Sequence, residues 1–115
     1  MPTIAADDTF VQIVQFDIES DEQESLIAAI VGEVERWVRH RPGFVSSTFH
    51  ASLDGRHVMN YAQWRTRADF EAFTADPETE RLGRAIHAAG ATGGPHTIQY
   101  RVARIVDAAP GENDT

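Results

Sequence analysis

The chain has 115 residues, enough for one domain and one core and too few for a cofactor-binding domain beside a separate substrate domain. Hydrophobic residues make up 42% and charged residues 24%, the balance of a folded globular protein rather than a disordered one. A formal net charge of −8 repels phosphate backbones and anionic headgroups, so neither nucleic acid nor a membrane is expected as a partner.

After a polar start, Phe10 to Ile18 is short and rich in β-branched and aromatic residues, which predicts a strand. Ser20 and Asp21 then offer N-cap oxygens, with Glu22 and Glu24 in the first turn, where the helix dipole favours negative charge. Leu26, Ile27, Ile30, Val31, Val34, Trp37 and Val38 follow at helical spacing as one apolar stripe. Arg39, His40 and Arg41 suit the C-terminal end of that helix, and Pro42-Gly43 stops it.

Phe44 to Ser52 and His57 to Trp64 read as two strands of a hairpin around Leu53-Asp54-Gly55-Arg56, with Gly55 able to take a positive φ. Thr66 with Asp69 resembles a capping box, and Phe70 and Phe73 give the short helix behind it an apolar side. Asp76-Pro77 opens a further helix running to about Ala89. Gly90, Gly93, Gly94 and Pro95 are expected to form a loop, and Thr97 to Val106 the last strand. The domain is thus expected over residues 10–106, with an N-terminal extension at 1–9 and a flexible acidic tail at 107–115.

The order β-α-β-β-α-β, its second helix split in two, is the ferredoxin-like α+β pattern: a four-stranded antiparallel sheet with helices on one face. In a half-exposed sheet the face without helices should read polar. Here Phe44, Val58, Ala62 and Trp64 alternate with Val45, Phe49, Met59 and Tyr61, and the outer strands are apolar at both parities. A second copy of the chain is expected to cover the other face, making a sheet-to-sheet homodimer.

His50, Asn60 and Trp64 share even parity on the hairpin. If the turn has three residues with Gly55 at a bulge, all three side chains leave the sheet on one side and line one pocket. A slip of one residue puts His50 on the opposite face. Apart from any pocket, a strand histidine is ordinarily a hydrogen-bonded, partly buried residue, and a tryptophan at a strand end is ordinarily core or interface. Asn60 is harder to explain that way, because an amide in mid-strand among apolar neighbours must find partners or carry a desolvation cost. Arg81, Arg84 and His87 form a stripe on the third helix that reads as its solvated face.

The search for other chemistry is negative. With no cysteine, thiolate metal sites, iron–sulfur clusters and a thiol nucleophile are excluded. There is no dinucleotide-binding glycine motif, P-loop, nucleophile elbow or H-E-x-x-H; Gly90-Ala-Thr-Gly-Gly94 lacks the lysine and following helix of a phosphate loop. His40, His57, His87 and His96 show no metal-ligand spacing. No metal and no cofactor are expected. Without a signal segment or an apolar run long enough to span a bilayer, the chain is expected in the cytoplasm.

Arg41-Pro-Gly-Phe-Val-Ser-Ser-Thr-Phe-His-Ala-Ser-Leu-Asp-Gly55 and Met59-Asn-Tyr-Ala-Gln-Trp64 resemble the antibiotic biosynthesis monooxygenase family, and within it the anthrone-oxidising branch. The likeness extends through Ala75-Asp76-Pro77. It implies a dimeric α/β barrel that oxidises an anthrone-like aromatic polyketide to a quinone with O₂, without flavin, haem or metal. Carried over by motif, Asn60 and Trp64 are the central catalytic pair, with His50 beside them as base or proton shuttle. Phe70 and Phe73 join the substrate pocket, Phe70 standing where the resemblance implies an aromatic hydroxyl. An arginine is implied on the helix after Asp76-Pro77; the count falls on Gly83, with Arg81 and Arg84 the nearby candidates for substrate binding. The competing readings are a haem-degrading monooxygenase of the same fold, which needs a histidine on iron, and a non-catalytic dimer that binds an aromatic metabolite.

Overall fold

The structure is a computed structural model and describes residues 9–19 and 21–110, with the backbone alone over 92–95. Its elements are β1 (Phe10–Ile18), α1 (Gln23–Arg36), a 3₁₀ turn (Val38–His40), β2 (Phe44–Ala51), β3 (His57–Trp64), α2 (Arg67–Thr74), α3 (Glu78–Ala88) and β4 (Ala91–Arg101). The four strands pair antiparallel in the order β2-β3-β1-β4, the ferredoxin-like arrangement.

Even-numbered residues of β1 face the helices. Val14, Phe16 and Ile18 pack with Leu26 and Ile30 of α1 and with Val58 of β3, a cluster in which Leu26 and Val58 are fully buried. Burying an aliphatic side chain of that size stabilises the fold by about 1.5–3 kcal/mol. A second, aromatic cluster joins Trp37, Val38, Trp64 and Phe70, with Phe10, Phe44, Phe73 and Leu82 against it.

The local signals act much as expected, with two departures at α1. Its N-cap is Glu22, which makes no side-chain cap hydrogen bond; the Ser20 cap lies outside the described residues. At its C-terminal end the chain tightens into the 3₁₀ turn, and Gly43 then takes φ 81°. A side chain at Gly43 would also run into the Asp69 carboxyl, so the turn before β2 requires glycine twice over. Arg41 lies over the Trp37 ring at 4.9 Å and its Nε is 2.7 Å from Asp76 Oδ2, a charge contact without hydrogen-bond alignment. Thr66 caps α2 as expected, accepting from the Asp69 N–H at 3.1 Å, and Asp76 Oδ1 accepts from the Glu78 N–H at 2.9 Å at the start of α3.

Two expectations about strands are corrected. The hairpin closes with a four-residue loop, Leu53 to Arg56: Ser52 N–H donates to the His57 carbonyl at 3.1 Å, and Ser52 Oγ accepts from the His57 N–H at 2.9 Å. Even residues of β2 therefore face odd residues of β3, with Phe49 opposite Asn60 and His50 opposite Met59. A bulge at Val45 resets the pairing, so that Phe44 lies opposite Trp64.

The last strand also begins and ends earlier than expected, at Ala91–Arg101 rather than Thr97–Val106. Gly90, at φ 114°, turns the chain out of α3, and the glycine-rich stretch enters the sheet. Between the pairs Gln15–His96 and Asp17–Thr92 the chain takes four steps on β4 against two on β1. Gly93, Gly94 and Pro95 sit in that bulge, where a missing N–H and strand-breaking residues are tolerated. Among the described residues no helix is long and apolar enough to cross a membrane.

Candidate active site

Between the helix-facing side of the sheet and the helices lies a cavity of about 210 Å³. Gln12, Val14, Ser47, Asn60, Ala62 and Trp64 supply much of its sheet side, and Ile30, Val34, Phe73, Leu82, Gly83 and Ile86 the helix side. No Asp, Glu, His, Lys or Arg is among the described residues that line it.

Asn60 and Trp64 lie on β3 with the same parity, and Trp64 is 1% exposed. The Trp64 indole is fixed by rings on three sides: Phe44 edge-on at 5.3 Å, Phe73 at 5.0 Å and Phe70 at 6.2 Å. Trp64 Nε1 and Asn60 Oδ1 are both buried, and neither has a hydrogen-bond partner within the chain. A buried donor or acceptor left unpaired costs about 1–3 kcal/mol, so a fold keeps such a pair in one cavity only at a cost to its stability. A ligand carrying a phenol and a carbonyl oxygen would supply the missing acceptor and donor at once.

The other candidates separate. Phe73 lines the cavity, whereas Phe70 stands behind its wall, stacked on Phe10 at 5.0 Å and packed against Trp64. His50 does not join the group: the four-residue loop turns it to the opposite face of the sheet, where it is exposed. Arg81 and Arg84 are exposed and do not line the cavity; Arg81 Nη2 is held at 2.8 Å by Glu78 and 3.6 Å by Glu33. The position reached by counting from Asp76-Pro77, Gly83, does line it.

Sequence reasoning missed Gln12, Ser47, Leu82 and Ile86. Gln12 had a signal, a polar residue interrupting the apolar parity of Phe10, Val14 and Phe16; Leu82 and Ile86 stand four apart on one face of α3. Ser47 had none, since its facing depends on the loop length. No group of three or more His, Asp or Glu among the described residues is arranged to hold a metal ion. On the far face, His57 Nδ1 lies 2.8 Å from Asp17 Oδ1, and that hydrogen bond holds the Asp17 carboxyl below its ordinary range.

Comparison with known proteins agrees with this architecture. The chain is 46% identical over 81 residues to tetracenomycin-F1 monooxygenase of Streptomyces glaucescens, covering 70% of this chain and 72% of that one. The crystal structure of a monooxygenase from the gene ActVA-Orf6 of Streptomyces coelicolor, in complex with nanaomycin D, superposes with a TM-score of 0.80 at 34% identity. That match covers 87% of this chain and 92% of the other. SnoaB of Streptomyces nogalater, described as a cofactor-independent oxygenase, shares the fold at 21% identity with a TM-score of 0.69, over 89% of this chain and 100% of its own. Residues 9–85, from the start of the sheet to the middle of α3 and including Asn60 and Trp64, match the antibiotic biosynthesis monooxygenase family, to which the chain belongs.

Proposed function

We propose that the chain is a cofactor-independent monooxygenase that oxidises an anthrone-like aromatic polyketide to a quinone with O₂. The observation that carries this reading is the pair of buried, unpartnered polar atoms, Asn60 Oδ1 and Trp64 Nε1, in a cavity that has no ionisable side chain among its described lining residues. The names of the relatives, two of them monooxygenases, support it.

The reaction asks little of the protein. Triplet O₂ reacts poorly with a neutral phenol, but the enolate or phenolate of an anthrone can give it one electron. Combination of the resulting pair forms a peroxide anion at the ring carbon, which takes up a proton to become the hydroperoxide. Loss of the remaining C–H proton on that carbon together with hydroxide, as water, leaves the new carbonyl, so one oxygen atom of O₂ enters the product and the other leaves as water. The protein's task is to favour the anion and exclude solvent. The Trp64 N–H and the Asn60 amide, turned to present its NH₂, can donate to the developing oxyanion, and in an apolar cavity such donors count for far more than in water. No ionisable residue lines the cavity, so on this reading the donors act by lowering the substrate's own pKa, and the proton leaves to solvent rather than to a histidine. The base role expected for His50 is therefore not retained.

The reading further takes the working unit to be a homodimer, joined through the sheet face away from the helices, and places the protein in the cytoplasm. The haem-degrading alternative lacks support in the residues: no histidine is among the described cavity residues to ligate iron. The test is oxygen uptake by purified protein with an anthrone, in the presence of EDTA and with the absorption spectrum recorded. Saturable uptake of one O₂ per quinone formed, by colourless protein, is the expected result. Tight binding without turnover would instead identify a carrier, and a Soret band on adding haemin with haem loss would identify a haem degrader.

A further inference from the structure

Of the described residues that line the cavity, only Gly83 of α3 and Thr97 of β4 are exposed to solvent, so the cavity opens between that helix and the edge strand. Glycine is among the least favourable residues in a helix interior, and Gly83 is the sixth residue of an eleven-residue helix. Two ordinary reasons for a glycine are absent here. Its φ is not positive, and a Cβ built at this position meets nothing within 4 Å. Neither the backbone nor the packing of the free chain requires a missing side chain at Gly83. What the position does border is the opening.

We propose that Gly83 sets the size of substrate the chain accepts, by keeping open the mouth between α3 and β4 so that one end of an elongated polycyclic ligand can project through it. This rests on the oxygenase reading for the class of ligand. Pockets that enclose a drug-sized ligand measure roughly 300–1,000 Å³. At about 210 Å³ the cavity falls short of that, so a ligand of four fused rings whose polar end meets Asn60 and Trp64 must leave its far end outside. A branched side chain at residue 83 would stand where that end passes. A three-ring ligand lies deeper and would feel it less.

The test compares Gly83→Ala, Gly83→Leu and a control, Gly32→Leu. Gly32 is likewise an exposed helix glycine with nothing within 4 Å of an added Cβ, but it does not line the cavity. Binding of a dihydroxyanthraquinone (three rings) and a dihydroxynaphthacenequinone (four rings) is read by quenching of tryptophan fluorescence, and melting temperature is recorded on the same samples. Gly83→Leu is expected to weaken the four-ring ligand about 10- to 100-fold while changing the three-ring ligand less than about threefold, and Gly32→Leu to change neither. Gly83→Ala is expected to melt about 3–6 °C higher, the gain from helix propensity alone. Equal loss of both ligands, loss of neither, or a Gly83→Ala protein that melts below wild type overturns the proposal. Wild-type protein that binds only the three-ring ligand overturns it too, and leaves the oxygenase reading standing. Wild type that binds both ligands, with the four-ring ligand lost selectively in Gly83→Leu, while never consuming oxygen supports the mouth and overturns the oxygenase reading instead.

Discussion

Asn60 sits in mid-strand with Val14 on one side and Phe49 on the other, so its amide is surrounded by apolar neighbours in the plane of the sheet. If that amide stabilises an oxyanion, Asn60→Ala should lower kcat about 10- to 1,000-fold with the fold intact, as loss of one oxyanion-hole donor does elsewhere. Asn60→Asp should be as damaging, since it sets a negative charge against an anion. His50→Ala, on the far face, should keep kcat within about threefold. A purely structural Asn60 makes the reverse pattern: about 1–3 kcal/mol of stability lost and the rate of the folded fraction unchanged. Rates and melting temperatures measured together on the three variants decide between them. Asn60 and Trp64 could be grouped from sequence because they share one strand, where period-two alternation fixes their side. His50 could not, because its side depends on how many residues the turn holds, and Asp54-Gly55 is compatible with both a three-residue and a four-residue loop.

At the scale of elements, the residues that punctuate the chain fix where the helices start more firmly than where the last strand begins and ends. Thr66, Asp76 and Pro77 act on their own local backbone, so α2 and α3 begin where these residues stand. The Gly93-Gly94-Pro95 stretch looked like a loop because its residues disfavour strands; pairing with β1 draws it into the sheet as a bulge, a tertiary effect that local propensity does not contain. The end of α1 holds a further feature that periodicity missed. Glu33 is 7% exposed, accepts from Trp37 Nε1–H at 3.0 Å and from Arg36, and has Arg81 at 3.6 Å. Burial pushes its carboxyl up, but the Trp37 and Arg36 hydrogen bonds and the two guanidinium charges outweigh that and hold it below the ordinary 4.5. A carboxyl depressed in the folded state contributes stability that is present above the unfolded value and is lost as pH falls through the folded one. Glu33→Gln should therefore cost about 1–3 kcal/mol at pH 7, and the gap to wild type should close as the pH is taken below about 4.5. Urea unfolding of both proteins at the two pH values checks this; a gap that is constant with pH would mean that packing, not charge, is what Glu33 contributes.

For the whole molecule the open question is what meets the sheet face turned away from the helices. A row of side chains crosses it from Tyr61 through Ile13 to Ile98, and Tyr100 lies one row along; Ile98 is 56% and Tyr100 45% exposed in the single chain. That this face carries large apolar residues was legible from the alternation in β3 and β1, where both parities hold them, although Asp17, His57 and His50 share the face. The helices pack on one face of the sheet, and a two-fold axis running parallel to the other face would lay this patch on its own copy. Ile98 is the informative position because the two states treat it oppositely. In the single chain an aspartate there stays in water and should change stability by no more than about 0.5 kcal/mol, the usual range for an exposed site. In a sheet-to-sheet dimer the same carboxylate would be buried without a partner, which costs several kcal/mol and is counted once for each protomer. Wild-type protein is therefore expected to sediment as a dimer at micromolar concentration, and Ile98→Asp as a folded monomer with a cooperative melt. A monomeric wild type, or an Ile98→Asp variant that remains dimeric, would remove the sheet-to-sheet arrangement. If oxygen uptake also falls in the folded monomer, the assembly contributes to the site; if it does not, each cavity between sheet and helices works alone.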